Sequence, residues 1–140
     1  MKYIQSTGQL FDRNGKLLGT GWAGNGLGKN NPSMQNVHDT GPLPCGWYII
    51  GAPVNSAETG IFTLPLTPYS ENEMYGRSDF KIHGHTVTFD KDGFTEINGK
   101  KEPISKGCII QEHDVRVIIW NLASNKDINI FDNELEVTKN

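Results

Sequence analysis

At 140 residues the chain fits one hydrophobic core and leaves no room for two ordinary domains. A content of 36% hydrophobic and 21% charged residues belongs to a globular protein, and a formal net charge of −3 gives no basic footprint for nucleic acid or an anionic membrane surface. Sixteen glycines point to many tight turns and to β rather than α structure, while two cysteines, Cys45 and Cys108, are too few for a disulfide scaffold and read as reduced thiols.

The opening residues Met1 to Gly8 contain no apolar signal core, and no apolar run approaches a membrane span. The chain is therefore expected to be made in the cytoplasm, without membrane insertion, and to need another export route if it acts elsewhere. Alternating β-prone residues run from Lys2 to Phe11 and resume from Lys16 to Trp22 around Asp12-Arg13-Asn14-Gly15, a hairpin signal. From Ala23 to Thr40 the chain is rich in glycine and asparagine without a hydrophobic period and reads as a long surface loop. Its glycines do not follow a strand-to-helix pattern, which gives nucleotide binding little support.

Gly41-Pro42-Leu43-Pro44 is a stiff turn feeding an apolar strand through Trp47-Tyr48-Ile49-Ile50. Further strands are expected at Ile61–Leu66 and at Phe80-Lys81-Ile82-His83, with a polar connection carrying Arg77 between them. Asp92-Gly93 and Asn98-Gly99 flank a small hairpin within the interval Thr86 to Pro103. One helix is expected over about Glu112 to Ala123, with Val115, Ile118, Ile119 and Leu122 as its apolar face. Asp127–Phe131 and Glu134–Val137 close the chain as two strands. Trp22, Trp47 and Trp120 have apolar neighbours and read as core.

The chemistry concentrates in Ser105-Lys106-Gly107-Cys108. A thiol with an ordinary pKa of about 8.5 is only a few per cent thiolate at neutral pH and needs a base to become a nucleophile. His83, at an expected strand end 25 residues upstream, is the candidate base, with His85 ranked second. Gly107 permits close approach of a substrate, the amides of Gly107 and Cys108 are candidate oxyanion donors, and Lys106 adds positive charge that favours thiolate. Alone, Gly-Cys-Ile-Ile would more often be a buried small hydrophobe than a nucleophile.

Ile82-His83-Gly84 followed by Ser105-Lys106-Gly107-Cys108-Ile109 resembles the paired motifs of the L,D-transpeptidase catalytic domain. With Gly41-Pro42-Leu43-Pro44, Trp47-Tyr48 and Arg77-Ser78 upstream, the pattern looks like the small branch of type VI secretion effectors acting on peptidoglycan. The resemblance implies a single mainly β domain over residues 1–140, a β-sandwich or barrel with one helix after the catalytic cysteine. It implies a cysteine-dependent L,D-transpeptidase or L,D-carboxypeptidase acting on stem tetrapeptides through a thioester, secreted into the periplasm of a target bacterium. Cys108 would be the nucleophile and His83 the base, with Ser105 and Gly107 shaping the cysteine loop. Arg77, His85 and Lys106 would contact substrate, Arg77 gripping a stem carboxylate; the alternative for Arg77 is an ordinary exposed charge. No cofactor is implied. The implied partners are peptidoglycan stem peptides, an immunity protein and a secretion-system component.

Many relatives carry histidine where this chain has Lys106, and the interval between the two motifs is longer here. The alternative function is a non-catalytic cell-wall-binding or phage structural module with the same fold. A zinc site from His83, His85, Cys108 and His113 is disfavoured because paired-cysteine spacing is absent. His38-Asp39 reads as solvated loop, and Cys45 as incidental.

Overall fold

A computed structural model describes residues 1–84, 95–97, 100–102 and 105–140. The expected Asp92-Gly93 turn, the Asn98-Gly99 turn and His85 lie outside the described residues. The described residues are mainly β with one α-helix, as the sequence indicates.

The opening run does not form one strand. It divides into β1 (Lys2–Ile4) and β2 (Gln9–Phe11), which pair antiparallel after a turn closed by Gly8 N donating to Ile4 O at 2.8 Å. Gly8 sits at φ 72°, where glycine is favoured, and an added Cβ would lie 1.9 Å from Gly21 O. The Asp12–Gly15 turn then leads to β3 (Leu17–Thr20), antiparallel to β2, with the Asp12 side chain accepting from the amides of Asn14 and Lys16.

After Gly21 comes β4 (Trp22–Ala23), and the glycine- and asparagine-rich stretch contains two 3₁₀ turns, Gly26–Gly28 and Pro32–Met34. Next are β5 (Gly46–Ile50), β6 (Val54–Ser56), β7 (Gly60–Pro68) and β8 (Lys81–His83). β6 was not expected from the sequence, because Val-Asn-Ser carries little alternation. β9 (Thr95–Ile97) and β10 (Lys100–Glu102) pair antiparallel, in agreement with the small hairpin expected there. β11 (Ile109–Ile110), α1 (His113–Ala123) and β12 (Glu134–Thr138) complete the chain.

The large sheet runs β3-β2-β1-β12-β5-β7-β8-β11-β4, with β6 added to β7. Its first and last strands, β3 and β4, are separated in the chain by Gly21 alone, so the sheet curls until its edges meet there. A side chain at Gly21 would run into Ile110 O, and its amide donates to Gly8 O at 2.8 Å, so the junction has room only for glycine. Inside the curl lie Tyr3, Leu10, Leu43, Tyr48, Leu64, Ile82, Ile109, Ile119 and Leu135, each with essentially no exposure.

Asp127–Phe131 is a turn rather than a strand. Asp127 O accepts from the amides of Ile130 and Phe131, its carboxylate accepts from Asn129 N, and Ile128 is left 79% exposed. Local Asx bonding outweighs the alternating pattern. Trp47 is likewise 40% exposed rather than core, whereas Trp120 packs against the core from a partly buried position. On α1, Val115, Ile119 and Leu122 of the expected face pack on the core while Ile118 is exposed, and the buried positions Arg116 and Ala123 widen the inward face and add a cation to it.

Candidate active site

Parallel pairing between β8 and β11 brings the two chemical segments together. Ile82 is opposite Ile109 and His83 opposite Ile110. Side chains alternate along a strand, so continuing one residue back from Ile109 puts Cys108 on the His83 side of the sheet. Ile82 and Ile109, on the other side, anchor both strands in the core.

His83 is buried, and its Nδ1 is 2.8 Å from Gly84 O. A carbonyl only accepts, so the neutral ring carries its proton on Nδ1 and leaves Nε2 as the basic nitrogen. Burial holds the imidazole below its ordinary pKa; the Gly84 carbonyl works against this, and the nearby Arg116 and Lys81 cations reinforce it. Burial also pushes the Cys108 thiol up, opposed by the backbone and charge of Lys81 and, more weakly, by Arg77. Lys81 and Arg77, rather than Lys106, therefore supply the positive field at the thiol. Both displacements favour the neutral thiol and the neutral imidazole.

Cys108 is half-buried, with Sγ directed to Asp79 O at 3.9 Å; among the described residues no hydrogen bond joins it to His83. Catalytic hydrogen bonds often tighten only when substrate is bound.

The cysteine loop is fixed by two side chains. Ser105, 1% exposed, donates its hydroxyl to Cys108 O at 2.5 Å and accepts from the amides of Gly107 and Gly24, both at 3.1 Å. Gly107 N–H is thereby engaged inside the loop, which removes it from the expected pair of oxyanion donors. Gly107 stands at φ 123°, and an added Cβ would lie 2.6 Å from the Arg77 guanidinium and 2.7 Å from the Phe80 ring. Only glycine satisfies both constraints.

Arg77 is the second anchor, and it is buried rather than an exposed charge. It is 6% exposed; Nη1 donates to Gln35 O (2.6 Å) and Pro42 O (2.8 Å), and Nη2 to Gly41 O (3.0 Å) and Lys106 O (3.1 Å). With both Nη groups engaged, no fork remains to grip a carboxylate bidentately. The guanidinium instead ties the Pro42 turn to the cysteine loop. Asn25 assists, its Nδ2 donating to Ser105 O at 2.8 Å and to Asp39 O at 2.7 Å.

Beside this loop lies a cavity of about 180 Å³ whose walls include His38, Asp39, Arg77, Ser78, Phe80 and Lys106. Lys106 is exposed there, and His38-Asp39, expected as mere solvated loop, forms part of the rim. The backbone around it is strained, with Asp39 at φ 59°, Tyr75 at 55° and Asp79 at 68°.

A family model described as the Tlde1 domain matches residues 19–132. The chain belongs to the Tlde1 domain family. This is a type VI effector family, and the matched span runs from β3 through α1 to the turn before β12, enclosing every residue of the candidate site. No curated protein and no solved structure matches the chain.

Within the Tlde1 domain, the structure brings together Ser105, Gly107, Cys108 and His83 and assigns Arg77 to the scaffold. Among the described residues no group of three or more His, Cys, Asp or Glu side chains is placed to hold a metal, and His113 packs edge-on against Phe62 at 5.6 Å between ring centres. No helix among the described residues is long and apolar enough to cross a membrane. Sequence reasoning missed Asn25 and Arg116. Arg116 had a visible signal: it shares a helical face with Ile119 and Ala123, so a cation stands in the stripe that turns inward.

Proposed function

We propose that this Tlde1 domain is a cysteine-dependent L,D-transpeptidase or L,D-carboxypeptidase acting on peptidoglycan stem tetrapeptides, delivered as a type VI antibacterial effector to the periplasm of a target cell. The observation that carries the reading is the β8–β11 register, which sets Cys108 and His83 on one side of the sheet with His83 Nε2 left basic. The Cys108 proton passes to Nε2 as sulfur attacks the carbonyl carbon of the amide holding the terminal D-residue. That C–N bond breaks, the imidazolium returns its proton to the leaving amine, and a thioester remains on Cys108. Water, a free D-amino acid or the amine of a neighbouring stem then attacks the thioester and releases the thiol. With Gly107 N–H engaged by Ser105, the amide of Cys108 is the local donor for the oxyanion. The cavity beside Lys106 receives the terminal residue and its carboxylate. An immunity protein and a component of the secretion apparatus are the protein partners of this reading.

Incubation with disaccharide tetrapeptides, followed by mass spectrometry, tests it. The expected products are the tripeptide and free D-alanine, with an acyl adduct trapped on Cys108. No turnover and no adduct in the wild-type protein would overturn the reading, and equal binding of the muropeptide by wild type and Cys108→Ala would then indicate a wall-binding module.

A further inference from the structure

Arg116 is 4% exposed and projects from the first turn of α1 toward the end of β8. Its Nη1 donates to Gln111 O at 2.6 Å, Nε to Phe62 O at 3.0 Å and Nη2 to Ile61 O at 3.3 Å. The charge is held by these peptide dipoles together with the favourable field of Glu112. Such an arrangement is costly unless the donors are well satisfied. Phe62 adopts φ 52°, a conformation unfavourable for a bulky residue, at one of the carbonyls that Arg116 engages.

This clamp backs directly onto the histidine. A Cβ added at Gly84 would lie 2.9 Å from Arg116 Nη1 and 3.3 Å from Nη2, so the guanidinium fills the space that a side chain at 84 would take. Gln111, whose carbonyl Arg116 holds, donates its own amide to His83 O at 3.0 Å. Arg116 thus bears twice on the His83–Gly84 peptide, holding the His83 carbonyl through Gln111 and abutting Gly84 itself. Gly84 O is the acceptor that sets the imidazole tautomer.

We propose that Arg116 is a positioning residue for His83: it seats Gly84 and Gln111 so that the Gly84 carbonyl holds Nδ1–H and Nε2 stays the bare, basic nitrogen. The inference rests on His83 serving as the base in the proposed reaction, but its structural content concerns the imidazole alone. Lysine cannot replace the arginine, because three carbonyls are met by one rigid planar fork that a single ammonium cannot span.

The test is ¹⁵N NMR of histidine-labelled protein above the ordinary imidazole titration range, with kinetics on the same samples. Wild type is expected to show His83 protonated on Nδ1. Arg116→Gln and Arg116→Lys are expected to give a mixed or reversed tautomer, with kcat lowered on the order of 100-fold and KM little changed. Gly84→Ala, which presses a methyl group into the guanidinium, supplies the same perturbation if the arginine variants do not fold. A folded variant with the wild-type tautomer and unchanged kcat overturns the proposal. Tautomer loss in the variants of a protein that never turns over muropeptides would sink the proposed reaction and leave the positioning role standing. Turnover with an unmoved tautomer in the variants would do the reverse.

Discussion

Arg77 Nη2 donates to the carbonyl of Lys106, two residues before the thiol, while Nη1 of the same guanidinium holds Gln35 and Pro42. One buried side chain therefore couples the proline turn to the cysteine loop. Removing it leaves buried carbonyls unpaired, which is far costlier than losing an exposed charge. Arg77→Gln is expected to destabilise the fold by on the order of 3 kcal/mol, as read from urea unfolding midpoints with unchanged slope. A clamp on substrate would show the opposite pattern, a raised KM with stability intact.

Ser105 is expected to matter more for rate than for folding. Its hydroxyl uses its donor on Cys108 O and accepts from two amides, so Ser105→Ala frees three backbone groups around the nucleophile. A cost of about 1–3 kcal/mol in stability is expected, with kcat reduced on the order of 100-fold because the sulfur loses its fixed approach. Single-turnover acylation of Cys108 measures that loss directly. An acylation rate equal to wild type would show that the loop holds its shape without the hydroxyl.

Much of this site was legible in the sequence because its parts are local. Ser-x-Gly-Cys makes its own turn, and the apolar residues of Phe80–His83 and Ile109-Ile110 mark two buried strands. What was not legible depends on contacts between distant segments. Arg77 looks like any polar-loop arginine until Gln35, Gly41 and Pro42 fold over it. Arg116 shows its face in the sequence through Ile119 and Ala123, but not the distant Ile61 and Phe62 carbonyls that it meets. The Asp127–Phe131 turn was misread as a strand for the converse reason, since side-chain bonds two residues away overrode a pattern of alternation. The curl of the sheet follows from the single residue separating β3 from β4, which composition cannot announce.

The opposite displacements of the two titrating groups predict a broad pH profile. His83 lies below its ordinary imidazole value and the Cys108 thiol above its own, each because burial disfavours the charged form. Activity is expected to hold from below the ordinary imidazole pKa to above the ordinary thiol pKa. Iodoacetamide labelling of Cys108 is expected to inflect on the alkaline side of a model thiol. An inflection well below it would indicate a resting thiolate–imidazolium pair. The stability consequence has a definite sign for the histidine. In the window between its lowered folded pKa and its unfolded pKa, the unfolded chain binds the extra proton, so His83's contribution to stability is lost as pH falls through that window. Thermal unfolding of His83→Gln is expected to be less steeply pH-dependent there than that of wild type.

Lys106 stands where the cavity meets the cysteine loop, exposed and with its backbone rather than its charge used by the scaffold. That leaves the ammonium available to a carboxylate on the terminal residue of the stem. An exposed contact of this kind is worth at most about 1 kcal/mol, so Lys106→Gln is expected to raise KM roughly fivefold with kcat close to wild type. The effect should shrink as ionic strength rises, since solvent-exposed charges are screened. A tetrapeptide with its terminal carboxylate converted to an amide should be handled equally by both proteins, because the partner charge is gone. If the amidated substrate still separates wild type from the variant by the same factor, the lysine acts on the loop and not on the carboxylate.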